Sequence, residues 1–144
     1  NQEEASRAIN ALRTLLIRLN QKSEGMHIVE HILLRPAQDE GMTKEEDFWS
    51  NRISVVLPNW TPRCGNREFQ LLVEETVRIN CPAHIMPTFY WLDAAKMTTF
   101  EGLFAKAMGS RQCRGCQGEG KEESCTGLRR FLLRHQPPLE EQMW

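Results

Sequence analysis

Long apolar runs are missing from this chain. Its uninterrupted hydrophobic stretches are only a few residues long, such as Ile32 to Leu34, far short of the roughly 20 residues needed to cross a bilayer. An excess of charge is missing too: 18 basic and 19 acidic residues leave a formal net charge of −1, so no electrostatic pull toward a phosphate backbone is expected, and nucleic acid is not an expected partner. The opening Asn1-Gln2-Glu3-Glu4 is acidic and polar, the reverse of a secretory signal, and the absence of an initial Met is compatible with an excised piece of a longer protein. Five cysteines cannot all pair with one another, which reads most simply as free thiols in a reducing, cytoplasmic setting, or as metal ligands for some of them. No Gly-x-Ser-x-Gly elbow occurs, and Gly115-x-x-Gly118-x-Gly120 lacks both the preceding strand and the Lys-Ser/Thr pair of a phosphate loop.

What is present is ordinary globular material, 40% hydrophobic and 26% charged in 144 residues, enough for one domain with its own core. Between Glu3 and Asn20, the residues Ala5, Ala8, Ile9, Leu12, Leu15, Leu16 and Leu19 recur at spacings of three and four and predict an amphipathic helix. Beyond Gly25, Met26 to Pro36 has early β-branched residues and a proline stop, and predicts a strand. Alternation places Ile28, Ile32 and Leu34 on one face with Glu30 among them, and Val29 and Leu33 on the other with His27 and His31. Ala37 to Asn51 is polar and reads as a loop, with a helical turn near Glu45 to Trp49.

Ile53 to Pro58 predicts a second strand, Asn66 caps a helix that ends before Pro82, and Ala83 to Leu92 predicts a third strand, its Pro87 pointing to an edge or a bulge. Asp93 caps a further helix to Met108. The expected fold is α+β: a small mixed three-stranded sheet with a βαβ unit, carrying two or three helices on one face. Residues 1–108 form this domain, with 1–24 its N-terminal helix and 25–108 its sheet and helices. Residues 109–144 follow as an irregular Cys/Gly-rich tail with a short helix over Leu128 to His135. Phe89 and Trp91 alternate with Tyr90 and Leu92, so the sheet is apolar on both faces, and a neighbouring subunit is expected to cover the face without helices. Trp60, Tyr90 and Trp91 are the candidate interaction residues, because aromatic side chains dominate interface energetics.

Four groups of residues carry a family likeness. They are His27 to Pro36 (HIVEHILLRP); Arg52 to Pro58 (RISVVLP) with Trp60; Phe69 to His84 (FQLLVEETVRINCPAH); and Tyr90-Trp91-Leu92-Asp93 followed by Met97, Phe100 and Glu101. Together, over about 80 residues from Met26 to Met108, the chain resembles the C-terminal region of large baseplate-associated proteins of phage-tail-like contractile injection systems. The resemblance implies a non-enzymatic structural domain that contacts other protein subunits of a large assembly and is built into a cytoplasmic particle. It brings no catalytic residues, no cofactor and no small-molecule substrate. The tail after Met108 lies outside it.

Two arrangements compete with that reading. His27-x-x-Glu30-His31 has the order of an inverted zinc metallopeptidase, in which both imidazoles grip zinc and the glutamate acts as base. The geometry requires a helix; on a strand the two histidines stand roughly 13 Å apart and share no metal. A third ligand cannot be singled out from Glu68, Glu74 and Glu75. Separately, Cys113-x-x-Cys116 with Cys125 and His135 supplies four donors for a structural zinc, with glycines that allow the tight turn. The matching second ligand pair is missing, and incidental thiols or a partial disulfide account for the same residues more simply.

Overall fold

The structure is a computed structural model that describes residues 2–34, 50–112 and 119–137. Helix α1 (Gln2–Ser23) leads into a short strand β1 (His27–Glu30) and a single 3-10 turn, His31–Leu34. Strand β2 (Arg52–Pro58), helix α2 (Arg67–Asn80) and strand β3 (Met86–Leu92) follow, then helices α3 (Ala94–Gln112) and α4 (Glu119–Arg134).

The three strands form one mixed sheet in the order β1-β2-β3. β1 runs antiparallel to β2, with Val29 opposite Ser54; β2 and β3 are parallel, with Val55 opposite Phe89 and Val56 opposite Tyr90. Two parallel neighbours need a crossover, which α2 supplies, and this gives the βαβ unit expected from the sequence. Pro87 is accommodated because β3 lies at an edge, where a missing N–H costs no ladder bond on the open side.

The starts of α2 and α3 are fixed locally. The Asn66 side chain accepts hydrogen bonds from the N–H groups of Glu68 (2.8 Å) and Phe69 (3.4 Å), satisfying two donors that the first turn of α2 leaves open. At α3 the Asp93 carboxylate accepts the Lys96 N–H at 2.8 Å, and this bond holds its pKa below the ordinary carboxylate value.

Alternation along β2 and β3 divides the core in two. Val55, Leu57 and Phe89 face α2, which offers Val73 and Val77. Val56, Tyr90 and Leu92 face the other way, onto Met97, Phe100 and Ala107 of α3 and Leu128, Phe131 and Leu132 of α4; Val29 and Leu34 close this cluster from the β1 side. The helices therefore lie on both faces, not on one as the sequence pattern suggests, and the chain's own α2 occupies the face expected to meet a neighbouring subunit. The physical reason is the crossover: a helix joining parallel neighbours must return across a sheet face, while the helices after β3 take the other.

Two further differences come from local features. The strand expected over Met26 to Leu34 stops at Glu30, where the chain tightens into the 3-10 turn and carries Leu34 into the core. The helix expected over Leu128 to His135 is 16 residues long, Glu119–Arg134, and it belongs to the main core, where its Leu128 and Leu132 are fully buried. Only the second half of α4 carries large apolar residues, so the charged, glycine-bearing first half hides its helical period. The turn near Glu45 to Trp49 lies outside the described residues.

Adjacent leucines on α4 test this placement. Leu132→Ala should cost about 2–5 kcal/mol in chemical denaturation, because the site is closed on all sides. Leu133→Ala, nearly half exposed, should cost less than about 1 kcal/mol. Equal losses at the two positions would contradict the packing of α4 described here.

Candidate functional site

His27, Glu30 and His31 go to three different places. β1 is extended over His27–Glu30, so neighbouring residues point to opposite faces. His27 lies edge-on to Phe100 and Phe104, with centroids 5.5 and 5.2 Å away, and its Nε2 is 3.4 Å from Glu101 Oε1 on α3. Glu30 is exposed. His31 is buried and its Nε2 meets the Ser54 hydroxyl at 2.7 Å. Two imidazoles engaged with separate partners cannot pinch one ion.

The second proposed metal set is also divided. Cys125 and His135 are on one helix and its final turn, ten positions apart, hence about 15 Å along the axis. His135 Nδ1 donates to the Phe131 carbonyl at 2.9 Å and its ring rests on that phenyl at 4.3 Å, while Cys125 is a free thiol packed against the core. Cys113 and Cys116 lie outside the described residues. Among the described residues, no group of three or more His, Cys, Asp or Glu side chains is placed to hold a metal ion.

Two buried polar groupings stand out instead. Ser54 hydrogen-bonds His31 and also the Tyr90 phenol, inside the α3/α4 face of the sheet. The arrangement brings a hydroxyl to an imidazole, but Ser54 and His31 are sealed from solvent, so no substrate reaches the hydroxyl in this conformation. Burial pushes the Tyr90 phenol up to about 12, against the opposing influence of the Ser54 bond and of Arg52. On the other face the Trp91 indole N–H donates to Glu74 Oε1 at 2.9 Å; Arg78 approaches the same carboxylate at 3.6 Å and Arg67 at 4.0 Å. Glu74 is a buried charge with three donors around it, a condition that makes its burial tolerable. The signal for it was in the sequence: Glu74 falls inside the Val73/Val77 stripe of α2, where a carboxylate needs a partner.

Of the aromatic residues expected to dock a partner, only Trp60 is open, at 39% exposed. Tyr90, at 3%, is a core residue, and Trp91 is half-buried with its N–H occupied by Glu74. Trp60 borders a shallow groove of about 600 Å³ with Leu19 and Lys22 of α1, His27, and Met97 and Glu101 of α3. A narrower cleft of about 280 Å³ runs by the edge strand β3, with Arg67, Glu74, Arg78, Lys96 and His135 on its walls.

The most exposed apolar surface belongs to α1. None of its residues is buried, and Ile9 (64%), Leu12 (58%), Leu15 (54%), Leu16 (53%) and Leu19 (53%) all face solvent along one stripe. Monomeric proteins rarely leave a contiguous row of this kind uncovered. No described helix is long and apolar enough to cross a membrane. Comparison with protein-family models and with curated proteins returned no match, so the functional argument rests on this geometry and on the sequence motifs.

Tyr90 is the chain's only tyrosine, so its ionisation can be read directly from phenolate absorbance. The native protein should titrate near pH 12 and the denatured chain near 10. Because the folded pKa is the higher, the protonated phenol favours the fold fully below pH 10, and that contribution disappears as pH rises toward 12. Denaturation of Tyr90→Phe should lose less stability across this window; an ordinary native midpoint near 10 would show that the phenol is not enclosed as described.

Proposed function

We propose that this domain is a non-enzymatic protein-interaction module, a structural component of the baseplate of a phage-tail-like contractile injection system, working in the cytoplasm within an assembled particle. The observation that carries the reading is α1: an amphipathic helix with its whole apolar stripe turned to solvent, attached to a body whose sheet is already covered on both faces. Such a helix is built to be covered by protein. The likeness of Met26 to Met108 to the C-terminal region of baseplate-associated proteins supplies the kind of assembly, and the other subunits of that assembly are the partners it implies. The enclosed Ser54–His31 pair, sealed from solvent, and the separation of His27 from His31, which share no metal, also support a role without catalysis.

The test is affinity purification of the tagged chain from cells that express the whole gene cluster of such a machine. Sheath, tube or baseplate subunits should co-purify, and Leu12→Asp with Leu16→Asp should cut their recovery roughly tenfold or more, as loss of central interface anchors does. Purification of the native chain with none of these subunits would refute the baseplate assignment.

A further inference from the structure

The stripe of α1 has a property that identifies its partner: it is complementary to itself when turned end for end. At about 100° per residue, Ala5, Ala8, Ile9, Leu12, Leu15, Leu16 and Leu19 all fall within about 60° of a line through Leu12. An antiparallel copy that crosses at Leu12 sets position i against position 24 − i. Ala5 then meets Leu19, Ala8 meets Leu16, Ile9 meets Leu15, and Leu12 meets its own counterpart. Small residues oppose large ones in the two outermost layers, Ala5 with Leu19 and Ala8 with Leu16, while the inner layers pair large with large. A parallel pair would stack alanine on alanine at one end and leucine on leucine at the other.

Charge on one flank fits the same orientation, and it is opposed by Arg13, which lies about 100° round on the other flank and meets its own copy near the axis. Glu4 and Lys22 lie on the same flank of the stripe, each about 80° from its centre, with Arg18 slightly further round. In an antiparallel pair each flank meets its own copy, so Glu4 stands level with position 20 of the other helix, between Arg18 and Lys22. The twofold axis creates this contact twice. A parallel pair brings Glu4 beside the opposite flank, which holds Gln2 and no cation at that end. The helix dipoles also oppose one another in the antiparallel arrangement. Finally, each α1 joins its body at its C-terminal end, and 22 residues span roughly 33 Å, so two antiparallel helices hold their bodies at opposite ends of the pair.

We infer that the covering partner of α1 is a second copy of this chain, joined through an antiparallel, twofold-symmetric helix pair centred on Leu12. The inference rests on reading α1 as a docking element and names its occupant; it does not depend on the identity of the larger assembly.

Sedimentation equilibrium of the 144-residue chain tests it together with four variants. The native chain should dimerise. Leu12→Asp, which sets two carboxylates against each other at the axis, should weaken the dimer more than about 100-fold, and since Leu12 is exposed it should leave the circular dichroism of the body intact. Glu4→Lys alone, or Arg18→Glu with Lys22→Glu, should each weaken it roughly tenfold at low salt, and the three changes combined in one chain should restore it. A native chain that stays monomeric to roughly millimolar concentration overturns the inference. So does a dimer indifferent to Leu12→Asp, or a combined variant no tighter than its parents. If the chain is monomeric but Leu12→Asp with Leu16→Asp still abolishes capture of baseplate subunits, the docking role stands and the second copy does not. If neither association occurs, both fail.

Discussion

β2 is the strand on which the rest of the domain is assembled, because its alternate residues are apolar on both sides of the sheet. Val55 and Leu57 cannot remain in water on one face, nor Val56 on the other, so a sheet of only three strands needs two covers. The chain provides them in the order that chain connectivity allows. α2 lies on the face it crosses between β2 and β3, and α3 lies on the opposite face once β3 is complete. α3 alone leaves Phe100 with one side open, and α4 fills that space with Leu128, Phe131 and Leu132. Removing the requirement for cover on both faces would leave neither the crossover nor the last helix with a reason to pack.

The same two-sided burial explains the polar groups inside. The α3/α4 face of β2 presents Ser54 among apolar neighbours, and a buried hydroxyl costs about 1–3 kcal/mol if left without a partner. His31 reaches it because the chain tightens into a 3-10 turn right after Glu30, and Tyr90 reaches it from the neighbouring strand. On the α2 face, Glu74 serves the Trp91 indole and draws in Arg67 and Arg78, whose guanidinium also covers the Phe89 ring at 5.1 Å. Each network links a helix or turn to a strand at one register, so each resists a slip of the sheet that apolar contacts alone would tolerate.

Much of this was legible in the amino-acid order. Asn66 and Asp93 announce their helices through cap chemistry that depends only on the adjacent residues, and Pro87 announces an edge strand. The parallel pairing of β2 with β3 is legible in the strand-helix-strand order, whereas the antiparallel partner β1 and the register are not, because pairing joins residues far apart in sequence and periodicity says only which face a residue takes. Alternation puts Tyr90 and Trp91 on opposite faces, but only the register shows that one is engaged by Ser54 and the other by Glu74 and not by a partner. The His-x-x-Glu-His spacing misleads in a related way: it has chemical meaning only on a helix, and β-branched Ile28 and Val29 between the histidines favour extension. Cys125 and His135 share α4, which sends their side chains to different neighbours, an outcome that depends on the length of a helix whose first half carries little hydrophobic signal.

The stripe of α1 was read correctly as amphipathic and yet its meaning changed with the structure. An amphipathic helix ordinarily turns its apolar side to its own domain, and here that side is exposed while, among the described residues, both faces of the sheet are taken by α2, α3 and α4. Among the described residues, the body meets the C-terminal end of α1 at the groove beside Trp60, which Leu19 borders, and Arg63 approaches Glu24, just past the helix, at 3.8 Å. A helix of this length held at one end gains little from its own hydrogen bonds in water, because nucleation is costly and propagation only slightly favourable. Most of its stability must therefore come from whatever covers Leu12 and its neighbours. On the pairing inferred above, folding of α1 and its association are one equilibrium, while the two core clusters of the body contain no residue of α1 among the described residues.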